Sequence, residues 1–107
     1  MTATSFSARA LVPTEHASRY LQQLCKHWQH NLQVEFTAEN GTVIFPKDAR
    51  GANHPGDAVV TFNVAETGLD IRVDASSEEQ LEGLKGAVAR HLDRFAFREG
   101  ELQYNWQ

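Results

Sequence analysis

The stretch VVTFNVAETGLDIRVDASSEEQLEGLKGAVARHLDRF, residues 59–95, decides the fold. Val60, Phe62 and Val64 alternate with polar neighbours, Glu66-Thr67-Gly68 turns the chain, and Leu69, Ile71 and Val73 alternate back. Alternation at period two puts these side chains on one face of a hairpin. That face has to be covered, and the next segment supplies the cover. Ser76 to Glu79 reads S-x-x-E, a capping box, and Leu81, Leu84, Val88, Leu92 and Phe95 then follow at helical spacing. The spacing predicts a helix over about 77–95.

The same logic extends towards the N-terminus. Leu32, Val34 and Phe36 alternate, Asn40-Gly41 offers a type I′ hairpin turn, and Val43 to Phe45 return as the partner strand. Tyr20, Leu21, Leu24, Cys25 and Trp28 recur at helical spacing and predict a helix over about 15–30, with Thr14 placed to cap it. Phe6, Ala8, Ala10 and Val12 read as a first strand ended by Pro13. Leu102, Tyr104 and Trp106 read as a last one. Between Phe45 and Val60, KDARGANHPGD (47–57) is one long polar loop.

The expected order is therefore β-α-β-β-β-β-α-β. Two amphipathic helices need an apolar surface, and strands with one apolar face provide it. The expected architecture is an α+β two-layer sandwich, a mostly antiparallel sheet with both helices on one face. The stripes Tyr20/Leu24/Trp28 and Leu84/Val88/Leu92 should meet sheet residues such as Phe36, Phe62 and Ile71.

A chain of 107 residues is one domain by length, so 1–107 is read as a single unit. Ten basic and 14 acidic residues give a net charge of −4 with no basic block, which argues against a nucleic-acid partner. The single cysteine, Cys25, excludes an intrachain disulfide and fits a cytoplasmic setting. No basic-then-apolar leader and no run of ~20 apolar residues is present, so neither export nor a membrane is expected.

The segment HLDRFAFREG (91–100) crowds His91, Arg94, Arg98 and Glu99 around Phe95 and Phe97, and its aromatic spacing shifts from helical to period two. That change predicts a helix running into an extended strand, with one ring on each element. Together with RYLQQLCKHWQH (19–30) and the VEF/VIFP hairpin, it resembles a bacterial domain-of-unknown-function family. Members of that family share RYL-x-x-L-C-x-H near the start and HL-x-RFAFRE near the end. The resemblance covers most of the chain and assigns no chemistry to either motif. It implies a link with siderophore-interacting reductases, to which related domains are attached. The 47–57 loop is longer here than in typical members.

Three constellations could carry chemistry. His27 and His30, three residues apart, can share a helix face and offer two imidazoles to a transition metal, a third ligand having to come from elsewhere. Against this stands a solvated polar flank. Cys25 points about 200° away from His27 and reads as a small core residue. His91, with Arg90, Arg94 and Arg98, could grip a carboxylate or phosphate, His91, Arg94 and Arg98 being the leading candidates, against a plainer role in capping and ion pairing with Asp93, Glu99 or Glu101. His54 and Asp57 share a loop, a weak acid–base signal more simply read as a surface turn. No nucleotide, hydrolase or metalloprotease motif occurs.

The leading functional expectation is a small binding or accessory domain for a small anionic ligand, linked by the resemblance to iron, or for a partner protein. No catalytic residue or cofactor is assigned. The alternatives are a homodimer formed through a strand edge bearing Tyr104 and Trp106, and a small enzyme using His27 or His91 as general base.

Overall fold

In the computed structural model, residues 6–48, 51, 53–99 and 102–107 are described. Alternation becomes five strands: β1 (Phe6–Pro13), β2 (Gln33–Phe36), β3 (Asn40–Phe45), β4 (Ala58–Val64) and β5 (Gly68–Ala75). The helices are α1 (Ala17–Trp28) and α2 (Glu78–Phe95), the latter followed by a 3-10 turn, Phe97–Glu99. The sheet order is β1-β5-β4-β3-β2, and every neighbouring pair is antiparallel.

The alternating residues converge on one face. Ala8, Val12, Val43, Val60, Phe62, Leu69, Ile71 and Val73 are buried with Leu21, Leu24 and Trp28 of α1 and Leu84, Val88 and Leu92 of α2, in one continuous core. Both helices thus cover the same side, giving the two-layer α+β sandwich. Phe36 is only partly buried, because β2 lies at the sheet edge. The other face carries ion pairs instead, Arg9 with Asp70 and Arg72 with Asp74. The helices run antiparallel: Tyr20 at the start of α1 reaches Glu99 beyond α2, and His27 near the end of α1 faces His91.

Local signals misplaced several boundaries. The 37–40 connection is closed by the Thr37 N–H donating to the Asn40 carbonyl (2.7 Å), and Thr37 Oγ1 accepts from the amides of Glu39 and Asn40. Asn40-Gly41 therefore begins β3 and does not form the turn. A Cβ on Gly41 would lie 2.9 Å from Cys25 Sγ, so glycine is needed there for helix-to-sheet contact. The cap of α2 is Ser77, whose side chain accepts from the Gln80 amide, and not Ser76 with Glu79; the Gln80 side chain reaches past Ser77 to accept from the Ser76 amide. Helix α1 starts at Ala17 with His16 as its cap residue, and Thr14 Oγ1 instead accepts from the His16 amide.

The end of the chain also differs. Residues 97–99 form a 3-10 turn, not a strand, and Phe97 is 69% exposed while Phe95 packs against the core. The segment Leu102–Gln107 joins the outer side of β1 by one reciprocal pair of Arg9–Gln107 backbone hydrogen bonds (2.9 and 3.0 Å), without forming a ladder. Leu102 is buried, and the Tyr104 hydroxyl donates to Asp93 (3.1 Å). Glu101, one expected ion-pair partner, lies outside the described residues, as do Met1–Ser5 of the N-terminal stretch. No helix among the described residues is long and apolar enough to cross a membrane.

Candidate functional site

Helix α1 ends at Trp28, and its last turn lies against the second half of α2. The His27 ring centroid is 5.4 Å from that of His91 and 6.3 Å from that of Phe95. His91 also lies 5.1 Å from the Trp28 ring. Its Nδ1 is 2.6 Å from the Ala87 carbonyl oxygen one turn back. A carbonyl only accepts, so Nδ1 carries the proton and Nε2 is the remaining lone-pair nitrogen of the neutral ring. Burial holds the His27 imidazolium below its ordinary range, and His91, Arg94 and His30 push it the same way. His27 therefore gives up its proton more readily than an ordinary imidazole.

Beside this pair opens a cleft of about 510 Å³. Its apolar wall is Trp28, Leu32 and Phe45, the Phe45 ring standing edge-on to Trp28 at 5.0 Å. Its α2 wall runs along Glu79, Gly83, Ala87, Arg90 and His91, residues one turn apart on one helix face. The volume is within the range of small-molecule sites, and a mostly apolar lining with a few polar groups is their usual composition.

His54 also lines the cleft, and a hydrogen-bonded staple holds its loop there. The Gly56 amide donates to Ser76 Oγ (3.0 Å), and Gln80 Nε2 donates to the Gly56 carbonyl (3.1 Å). Gln80 Oε1 in turn accepts from the Ser76 amide (2.7 Å). The His54 amide donates to the Lys47 carbonyl (3.0 Å), and Asp57 accepts from the Lys47 amide (2.8 Å). Asp57 thus tethers the loop, whereas His54 lines the cleft, a role that reading the loop as a surface turn missed.

The residues singled out from the sequence are divided by the fold. His27 and His91 come together at the cleft. Arg94 is exposed on the last turn of α2, near enough to act on His27 but outside the cleft lining. Arg98 is exposed in the 3-10 turn, its guanidinium carbon 5.6 Å from the Phe97 ring centroid. Arg90, grouped with them from the sequence, is the arginine that lines the cleft. His30 lies beyond the end of α1 and is exposed. Among the described residues no three His, Cys, Asp or Glu side chains converge as a metal-binding group. Cys25 is fully buried, and burial alone pushes its thiol up to about 11.

The far end of the resembling segment has a different task. Glu99 accepts from Thr14 Oγ1 (2.9 Å) and from the Tyr20 hydroxyl, so it does not serve the arginines. Burial first, and then Glu99, push the Tyr20 phenol up to about 12.

Residues 9–107, which include every residue lining the cleft, match a family described as an uncharacterized protein conserved in bacteria, DUF2218. The chain belongs to that family. A similar solved structure is the NMR structure of PA4090 from Pseudomonas aeruginosa, 31% identical over 95% of each chain, with a TM-score of 0.72. No curated protein matches the chain.

Proposed function

We propose that this member of the family is a small cytoplasmic binding domain, 1–107 acting as one unit, whose cleft takes a small anionic ligand. The observation that carries the reading is the meeting of His27, His91 and Arg90 beside an aromatic wall. A chain with a net charge of −4 places cationic and protonatable groups on both helices at this one opening. Arg90 offers a planar fork suited to a carboxylate or phosphate. His91 contributes an imidazole already oriented by Ala87. Arg94 adds positive potential near His27, whereas Arg98, in the 3-10 turn beside Glu99, lies towards the Tyr20 end. The implied association with siderophore-interacting reductases makes a carboxylate-bearing ferric chelate one candidate within this ligand class. Thermal unfolding with phosphate, citrate and ferric citrate tests the reading. At least one anion should raise the midpoint of the wild-type protein and leave an Arg90→Gln/His91→Gln variant unmoved. Equal shifts in both proteins would sink it.

The lowered His27 supports a second reading, an enzyme with His27 or His91 as general base, because a base must be neutral at working pH. Such an enzyme would lose activity as pH falls below the ordinary histidine range. The metal reading rests on His27 and His30 as two imidazoles. A zinc titration followed by the histidine ring signals tests it. A strand-edge homodimer would have to use β2, since Tyr104 is engaged on α2 and Gln107 on β1. Light scattering would report the doubled mass.

A further inference from the structure

Helix α2 contains two interior glycines, Gly83 and Gly86. A helix-interior glycine lowers the helix-forming equilibrium about two- to fivefold relative to alanine. Neither is required by the backbone, since both lie inside regular α-helix and the positive-φ glycine among the described residues is Gly51. Gly83 is explained by the cleft, and Gly86 lies under the Arg90 side chain. Gly83 lines the cleft, and a Cβ built there meets nothing within 4 Å, so protein packing does not exclude a side chain. The space that a side chain would occupy is the cleft itself. At Gly86 a Cβ would lie 3.0 Å from Arg90 Nη1. Arg90 therefore folds back along the helix over Gly86, in the direction in which helical side chains lean. Three residues separate Gly86 from Gly83, ~4.5 Å along the axis. The guanidinium thus lies against the bare backbone at Gly86, about one turn along the helix from Gly83. The facing wall, Trp28 and Phe45, is aromatic.

We propose that the cleft is a slot for a single planar ring bearing one carboxylate, with the ring laid on the α2 backbone at Gly83 and the carboxylate held by Arg90 and His91. This rests on the anion-binding reading above and specifies its ligand class. A carboxylate coplanar with its ring continues the plane of the slot, and the planar guanidinium meets it edge to edge. Glu79, one turn before Gly83 and about three turns from Arg90 on the same wall, disfavours a second anionic group and would accept from a ring hydroxyl or amine.

The test is a titration of backbone amide NMR signals with benzoate, para-hydroxybenzoate, cyclohexanecarboxylate, acetate and inorganic phosphate. It is run on the wild-type protein and on Gly83→Ala and Gly83→Leu. The aromatic acids should bind about three- to tenfold tighter than cyclohexanecarboxylate, the ratio expected from aromatic stacking, with ring-current shifts at Gly83 and Ala87. Gly83→Leu should abolish their binding. Gly83→Ala, which favours the helix and adds one methyl, should weaken it while raising the unfolding midpoint, so a folding failure of the leucine variant leaves the test intact. Acetate or phosphate binding as tightly as benzoate, unaffected at Gly83, would overturn the slot and leave the anion reading standing. Absence of saturable shifts at cleft amides with every probe would overturn both.

Discussion

The two ends of the α1/α2 pair use polar residues in opposite ways. At the Tyr20 end, Thr14, Tyr20 and Glu99 satisfy one another, and a buried phenol is held on a carboxylate from the 3-10 turn that follows α2. At the Trp28 end, His27, His91 and Arg90 border an open cleft. Among the described residues no buried side-chain nitrogen or oxygen lacks a partner, so the fold leaves no orphaned polar atom in its interior. The segment HLDRFAFRE contributes to both ends, His91 to the cleft and Glu99 to the lock. A recognisable word in a sequence can therefore hold a structural half and a ligand-facing half.

The strongest challenge to this division is Trp28, which serves the core and the cleft wall together. Trp28→Ala should destabilise the protein by ~3–5 kcal/mol, a large share of the ~5–15 kcal/mol typical of a domain. Chemical denaturation measures it, and an unchanged midpoint would make Trp28 a surface residue. Tyr20→Phe removes a hydrogen bond to an ionised group and should cost roughly 1.5–3 kcal/mol, with anion binding unaltered. A loss of binding without a loss of stability would merge the two ends.

Arg94→Ala should change stability by no more than ~0.5 kcal/mol, as for an exposed residue. It should also raise the His27 titration midpoint, since Arg94 is one of the groups that lower it. Histidine NMR titration reads this directly. The linked effect has a definite sign. Folded His27 resists a proton that the unfolded chain accepts, so its contribution is complete above the ordinary histidine pKa of 6.5 and is lost as pH falls from there towards the lower folded value. An anion in the cleft favours the imidazolium and should bind more tightly over that same fall. Stability that rises on acidification through this window would contradict the assignment.

The sheet and both helices were legible because Val60/Phe62, Leu69/Ile71/Val73 and Leu84/Val88/Leu92 keep a single period over several residues. The errors fell where distant contacts outvoted local ones. Asn40-Gly41 is a good turn pair, yet Gly41 is claimed by Cys25 across the core. Ser76 and Ser77 each have a suitable residue three positions on, Glu79 and Gln80. The choice was made by the buried Gln80 amide, which ties Gly56 and Ser76 together. The period-two look of Phe95 and Phe97 came from a helix ending in a 3-10 turn that exposes the second ring. At the site, His27 and His91 could be flagged as residue types but not as a pair, because their meeting depends on antiparallel helix packing. Arg90 was grouped with His91, but its selection over Arg94 and Arg98 depends on the helix face it shares with Glu79, Gly83 and Ala87. His54 carried only a weak signal beside Asp57, because its place at the cleft depends on the loop staple.

The most direct test of the central claim, that the Trp28 end is a binding site and the Tyr20 end a structural lock, is calorimetric unfolding against a titrated anion. A ligand at ~100 times its Kd should stabilise the wild-type protein by about 2.7 kcal/mol. The same stabilisation should persist in Tyr20→Phe, measured from its own lower baseline, and vanish in Arg90→Gln/His91→Gln with its fold intact. Stabilisation that survives in the double variant and disappears in Tyr20→Phe would show that the anion binds at the other end.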